Sequence, residues 1–372
     1  MSGLVTVYPP LEPAAALRRP AAPAFPFDHP GTALTHLGRG AAWLALKALG
    51  LGPGTRIAMP AYHCGSEVEA ARLAGCDVRF YRLGPDLAVD AEDLERKARK
   101  ADAVYLISNF GFPMPAAPAD VLVIEDAAHG LFSAAPDGVP LGGHGDAAVF
   151  CPRKSLGVPD GGAVLVRRGA PPRPAGRPPW QPMARSALSL AATRAALASA
   201  APVRDAATRL IAGASRGDAA AREGTLTETV IGEWDLEVAD MEAAAAGPSR
   251  LTELLVARAD PAELAERRRS HYTVLAAELA DHTLAPFRSL PDGTVPLYFP
   301  LLVPDRPAAM RTLLEHGVRA LEVWPVPHPL LNREKHPELE TARRGLVALP
   351  VHQSLRPEHL AMVLGAAKAA LA

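Results

Sequence analysis

Four short stretches of this 372-residue chain carry side chains that could do chemistry together. VLVIED ends in Glu125 and Asp126, an acidic pair closing an apolar run of strand length. CPRKSLGVPDGG sets Lys154 between the apolar AAVF and a turn rich in glycine and proline. GRG, at 38–40, opens a helical pattern, and PAYHCGS places Tyr62 and His63 just after a short apolar strand. In parallel α/β sheets ligands gather beyond the carboxyl ends of the strands, so an acid ending a strand faces the crevice. Gly157, Gly161 and Gly162 admit positive φ and close backbone approach, and Pro159 stiffens the chain. Such a turn can hold a lysine over a cavity. The first N–H groups of a helix bind phosphate, and flat rings can stack on a cofactor ring. Each stretch also has a plainer reading. Asp126 would cap a helix, Lys154 would be solvated, Tyr62 and His63 would be packed loop rings, and a lone Gly-x-Gly is a weak signal.

Taken in chain order, the stretches form a set of phosphate turn, flat ring, aspartate and lysine. Pyridoxal 5'-phosphate needs that set. A lysine amine forms a Schiff base with its aldehyde. An aspartate keeps its pyridine nitrogen protonated, which makes the ring an electron sink.

The elements that must position these residues alternate. Helix is predicted from GRGAAWLALKAL, strand over Arg56–Pro60, helix over EVEAARLAG and strand over DVRFYRL. A helix capped by Asp90 follows, then strands in AVYLISN, VLVIED, DAAVFC and GGAVLVRR. Strands alternating with helices predict an α/β fold with a mostly parallel central sheet. DPAELAERRRSHYTVLAAELAD opens with Asp260, Pro261 and Glu263, a strong helix start. It leads into a smaller α+β region with strands in TVPLYFPLLVP and LVALPVHQSL and a closing helix. The expected organisation is an extended arm over 1–30, a large domain over 31–255 and a small C-terminal domain over 256–372. A Pro- and Ala-rich insertion, 169–222, is helical in part and carries no chemistry of its own.

A net charge of −1 gives no bulk electrostatic reason to bind nucleic acid or a membrane surface. The scattered Cys64, Cys76 and Cys151 fit neither a disulfide framework nor a zinc site, so a cytoplasmic enzyme without metal is expected. No secretory signal or transmembrane run is read.

From about Leu34 onward the chain resembles the DegT/DnrJ/EryC1/StrS sugar aminotransferase family, a branch of the fold-type-I pyridoxal-phosphate enzymes. GRGAAWLALKALGLGPGTRIAMPAYHCGS is similar to its opening helix, strand and stacking loop. VLVIEDAAHGLFS and VFCPRKSLGVPDGGAVLV are similar to its cofactor motifs. The resemblance implies that Lys154 bonds the cofactor and Asp126 pairs with its pyridine nitrogen. His129 would stand near its phenolic oxygen, and Gly40 and Ala41 would supply phosphate-binding amides. Where the family has an aromatic residue this chain has Cys64, which shifts the stacking role to His63 or Tyr62. The family's phosphate-binding serine is Val149 here, its Ser-Gly-Thr turn is Gly38-Arg39-Gly40, and the nearest match to a neighbouring subunit's asparagine is Asp235. Arg153 is the residue that could grip the phosphate instead.

The implied activity is ping-pong transamination from an amino-acid donor, glutamate by family expectation, to a carbonyl acceptor. A nucleotide-linked keto sugar or another biosynthetic intermediate would serve. Desolvation is expected to leave the freed Lys154 amine neutral. Elimination or decarboxylation with the same cofactor, and cofactor binding without turnover, are the alternatives. A homodimer is the family expectation.

Overall fold

The structure, a computed structural model, describes residues 4–20, 22–170, 172–198, 201–208 and 240–372. The arm is not featureless. It contains a two-residue strand, β1 (Val5–Thr6), and a 3-10 turn over Pro13–Leu17.

A seven-stranded sheet then forms from β2 (Thr32–Thr35), β3 (Arg56–Pro60), β4 (Asp77–Tyr81), β5 (Ala103–Ile107), β6 (Leu122–Asp126), β7 (Ala147–Phe150) and β8 (Gly162–Val166). Their spatial order is β2-β8-β7-β6-β5-β3-β4. The run from β4 to β7 is parallel, as the alternation predicts, while β8 and β2 add on antiparallel. The register sets Ile107, Asp126 and Val149 side by side at the carboxyl ends of three strands. Sequence reasoning had no signal for β2, a four-residue edge strand.

α1 (Gly38–Ala48), α2 (Ser66–Ala74) and α3 (Ala91–Ala98) are the helices between the early strands. Asp90 caps α3 by accepting the Asp93 N–H at 3.0 Å. The turn predicted around Lys154 holds a one-turn helix, α4 (Pro152–Ser155), which Pro152 opens at N1. The insertion contributes α5 (Trp180–Ala196) and α6 (201–208); the rest of its expected helix, 209–222, lies outside the described residues.

Beyond α7 (Met241–Ala244) and α8 (Arg250–Val256) comes the long α9 (Pro261–Leu279). Asp260 caps α9, accepting the Ala262 and Glu263 N–H groups at 3.0 Å each. An antiparallel sheet of β9 (Tyr298–Leu302), β11 (Leu321–Glu322) and β12 (Leu346–Pro350) follows, with α10 (Arg306–Glu315), α11 (Glu340–Gly345) and α12 (Pro357–Leu371). Between them β10 (Val318–Arg319) pairs in parallel with β1, so the start of the chain is stitched to its C-terminal third. One continuous apolar core joins Tyr272 and Leu275 of α9, Phe299 and Leu301 of β9 and Val363 of α12. Among the described residues no helix is long and apolar enough to cross a membrane.

Candidate active site

A cavity of about 440 Å³ opens where β5, β6 and β7 end, and Ile107, Asp126 and Val149 all line it. Strand alternation separates the acidic pair. Glu125 accepts the His144 and Gly145 N–H groups at 3.0 Å each, a structural role. Asp126 borders the cavity. Its Oδ2 accepts the Tyr105 hydroxyl at 2.8 Å and its Oδ1 the Ala128 N–H at 2.9 Å. Burial, with the charge of Glu67, pushes its carboxyl up to about 6 against the pull of these two donors and Lys154.

Lys154, on α4, lines the same cavity. Burial disfavours its charge, but Tyr8, Cys151, Cys64 and Asp126 outweigh that and hold the amine above its ordinary range. In the cofactor-free protein the amine is therefore held in its charged form, whereas the expected neutral amine is the one freed from the cofactor during turnover. The turn after it needs its glycines. Gly157 has φ 62°, and a Cβ there would lie 2.1 Å from the Pro10 carbonyl oxygen. Arg153 is exposed at the cavity wall, and its N–H donates to Gly161 O at 3.2 Å.

His129 also borders the cavity, but the protein engages both its nitrogens. Nδ1 accepts the Phe110 N–H at 3.3 Å, which leaves Nε2 protonated and bonded to the Tyr298 hydroxyl at 3.2 Å. Burial keeps the imidazole neutral, well below its usual range. Its ring stacks with Phe110 (16°) and with Trp324 (28°). Both flanking residues adopt positive φ, 59° and 44°, a conformation costing about 1–3 kcal/mol for a bulky side chain. His129 thus adds an aromatic wall, with no spare nitrogen for a phenolic oxygen.

Four expected contacts lie off the cavity. The Gly40 and Ala41 N–H groups are spent on Leu37 O, at 3.0 and 3.2 Å. Gly40 serves close packing: a Cβ there would lie 2.0 Å from the Ala244 oxygen. Gly38 and Arg39, the two residues just before them, border the cavity instead. Tyr62 is buried, donates to Val323 O at 3.2 Å and lies under the Arg343 guanidinium. His63 donates from Nδ1 to Pro60 O at 2.9 Å, accepts the His328 N–H at 3.1 Å and stacks on Phe80. Burial lowers it to about 4. Cys64, not its neighbours, faces the cavity, and its thiol donates to Glu67 at 2.9 Å.

Sequence reasoning missed Tyr8, Glu67, Tyr298 and Trp324, which also line the cavity. Only strand alternation could have flagged a wall residue, Tyr105, two positions before Ile107.

The donor set suits pyridoxal phosphate. It combines a carboxylate at a strand end, an amine on the adjacent turn, aromatic walls and, for the phosphate, the start of α1 with Arg39 and Arg153. Val149 offers no hydroxyl, and Asp235 lies outside the described residues.

Comparison with known proteins agrees with this geometry. The sugar aminotransferase CalS13 from Micromonospora echinospora is similar at 20% identity and TM-score 0.56, over 91% of this chain and 87% of that one. AtS13 from Actinomadura melliaura is similar at 18% identity and TM-score 0.59, over 99% of both chains. Spr1654 from Streptococcus pneumoniae in its PLP form is similar at 14% identity and TM-score 0.60, over 98% and 99%. At these identities the likeness establishes the fold. No curated protein sequence matches the chain. Residues 35–171, which hold Asp126, Lys154 and the start of α1, match the model of the DegT/DnrJ/EryC1/StrS aminotransferase family. Over that stretch, a little over a third of the chain, the sequence is similar to this aminotransferase family, and the likeness to the solved structures gives the fold.

Proposed function

We propose that this protein moves an amino group from an amino-acid donor, glutamate in the first instance, to the carbonyl of a small-molecule acceptor. A nucleotide-linked keto sugar or a related biosynthetic intermediate fits the reading. So do a homodimer and a cytoplasmic location. The observation that carries it is the meeting of Lys154 and Asp126 in one cavity at the carboxyl ends of β6 and β7. Bound there, pyridoxal phosphate supplies an aldehyde and a ring that accepts electrons from the substrate Cα. Asp126 holds a proton on the pyridine nitrogen, and Tyr105 and the Ala128 amide fix that carboxylate in place. Lys154 takes the proton from the substrate Cα and returns it one atom away. Trp324, His129 and Tyr298 keep water from that transfer. Gly38, Arg39 and Arg153, which line the same cavity, would hold the phosphate.

The test is spectroscopic. Purified protein mixed with pyridoxal phosphate should develop a visible absorption band that Lys154→Ala loses. The band should bleach with an amino donor and recover with an acceptor, and a panel of carbonyl compounds then identifies the acceptor. No band in the wild type overturns the cofactor assignment. A band indifferent to every amino donor favours binding without turnover. Loss of carboxyl or a leaving group from the substrate favours the other lyase-type chemistries. Light scattering checks the dimer.

A further inference from the structure

The insertion after β8 places none of its described residues on the active-site cavity. Its charge sets it apart from the rest of the chain. Between Asp160 and Asp205 stand seven arginines and no lysine, aspartate or glutamate, which leaves the remainder of the chain acidic. The net charge of −1 therefore conceals a strongly basic segment. Within it α5 is held at both ends. Arg177 donates to Pro248 O at 2.7 Å and to Glu253 at 3.0 Å, Arg194 pairs with Glu12 at 3.1 Å, and Arg356 donates to Leu197 O at 2.7 Å. Arg173 and Arg185 are exposed, with no acidic partner among the described residues. Only Thr193 and Ala196 of α5 are buried. On the opposite side Trp180, Ala184, Leu188 and Ala191 recur every three or four residues, within about a quarter-turn of one another on an α-helix. All four are exposed, Trp180 at 73% and Leu188 at 67%.

We propose that α5 docks the protein on an anionic lipid surface, lying in the plane of the interface with Trp180 and Leu188 inserted and Arg173 and Arg185 against the headgroup phosphates. Charge selects this occupant. A second copy of the chain would bring two acid-free, arginine-rich segments together, which like charges oppose. A nucleic acid would engage the arginines but give an exposed Trp and Leu stripe nothing to bury against. A bilayer interface takes both parts: the indole at headgroup level, the leucine below it and the guanidinium groups at the phosphates. The helix is too short and too polar to cross the bilayer, so it lies on the surface. In the cytoplasmic location proposed above, the inner leaflet supplies the negative charge. Docking of this kind is independent of the cofactor assignment.

The experiment floats the full-length protein with vesicles of phosphatidylcholine and phosphatidylglycerol in equal parts, and separately with phosphatidylcholine alone. The anionic vesicles should carry the protein at least about tenfold better than the neutral ones, and high salt should release it. Leu188→Gln, and Arg173→Gln combined with Arg185→Gln, should each weaken binding about tenfold. Thermal melts should match the wild type, because all three side chains are exposed. The emission of Trp180, taken as the difference between wild type and Trp180→Phe, should move to shorter wavelength on the anionic vesicles. No binding to those vesicles overturns the proposal. So does equal binding to the neutral ones, which leaves the arginines without a role. Full binding by Leu188→Gln overturns it too, since the segment is then a general polyanion patch, and duplex DNA that competes equally for both proteins identifies that case. A dimer in light scattering that Leu188→Gln dissociates assigns the stripe to a second copy instead.

Discussion

Tyr105 donates its hydroxyl hydrogen to Oδ2 of Asp126 across 2.8 Å, from a neighbouring parallel strand. The bond stabilises the ionised carboxylate that a protonated pyridine nitrogen requires. Asp126 sits at about 6, so its charge is lost as pH falls through that value. Binding of pyridoxal phosphate to the cofactor-free protein should show an acid limb near pH 6. Tyr105→Phe removes a donor to the charged form and should move that limb upward by about half a unit to one unit, as hydrogen bonds of this kind do. A pH profile of cofactor affinity that does not move would contradict it.

The same carboxyl makes a stability statement for the cofactor-free protein. Its folded value lies above the ordinary 3.8, so the folded state binds the extra proton between about pH 4 and 6. That contribution is complete below pH 4 and is lost as pH rises through 6. Asp126→Asn, which cannot ionise, should match the wild type near pH 4 and exceed it at pH 8 by up to ~3 kcal/mol. Denaturant melts at the two pH values check the difference.

Much of this site was legible in the sequence because strand ends and turns have local signals. Asp126 closes an apolar run, and Lys154 precedes a turn whose Gly157 and Gly161 do take positive φ. Asp90 and Asp260 announced their helices through capping chemistry. What was illegible depends on long-range packing. Tyr8 reaches the cavity only because β1 pairs with β10, about 310 residues away in the chain. Trp324 is positioned by a positive φ that no local residue type demands. Tyr62, His63 and Cys64 are consecutive, and which of them faces the cavity depends on Val323, His328 and Arg343 in the C-terminal third.

Gly40 separates packing from phosphate binding. A Cβ there would meet the Ala244 carbonyl at 2.0 Å, and backbone cannot swing aside as a side chain can. Gly40→Ala should force α1 away from α7 and destabilise the protein by about 2–4 kcal/mol, beyond ordinary overpacking at its upper end. Gly38 is more open: its Cβ would meet only the Cys151 side chain, Sγ at 3.4 Å and Cβ at 3.5 Å. Gly38→Ala should leave thermal stability nearly unchanged and weaken cofactor affinity. Equal melting temperatures for the two variants would refute this assignment.

Asp160, fully buried in the turn after Lys154, accepts the Ser249 N–H at 2.8 Å and hydroxyl at 2.6 Å, the Thr252 hydroxyl, and His36 Nδ1 at 3.0 Å. These donors overcome the burial penalty and hold its carboxyl below the ordinary 3.8. Stability from this group is therefore present above pH 4 and lost as pH falls through its folded value. Asp160→Ala leaves the donors unpaired and should cost about 2–4 kcal/mol at pH 7. Asp160→Asn should cost less and flatten the acid side of the stability curve. A variant as acid-sensitive as the wild type would falsify that role.

Arg268 ties the lysine turn to the C-terminal region, which is why its effect should reach the site. It is 1% exposed, and its guanidinium donates to Ser155 O, Pro296 O and Leu297 O at 3.1 Å each and to Gln353 Oε1 at 3.0 Å. Four acceptors from three segments converge on one cation, and Ser155 directly follows Lys154. Replacing Arg268 by Met preserves bulk but strands those oxygens, at about 1–3 kcal/mol for each that water cannot reach. A loss of roughly 3–5 kcal/mol follows, as for other broken buried charge networks. Lys supplies one cationic tip and should recover only part of it, because its point charge cannot span the fork. With Ser155 O left to Gln353 Nε2 alone, at 3.0 Å, α4 should also hold Lys154 less firmly. The Arg268→Lys variant, if folded, should then bind pyridoxal phosphate more weakly while keeping the Asp126-dependent acid limb. Cofactor titration beside a pH profile checks both halves. Wild-type cofactor affinity in that variant would confine Arg268 to the stability of the C-terminal region.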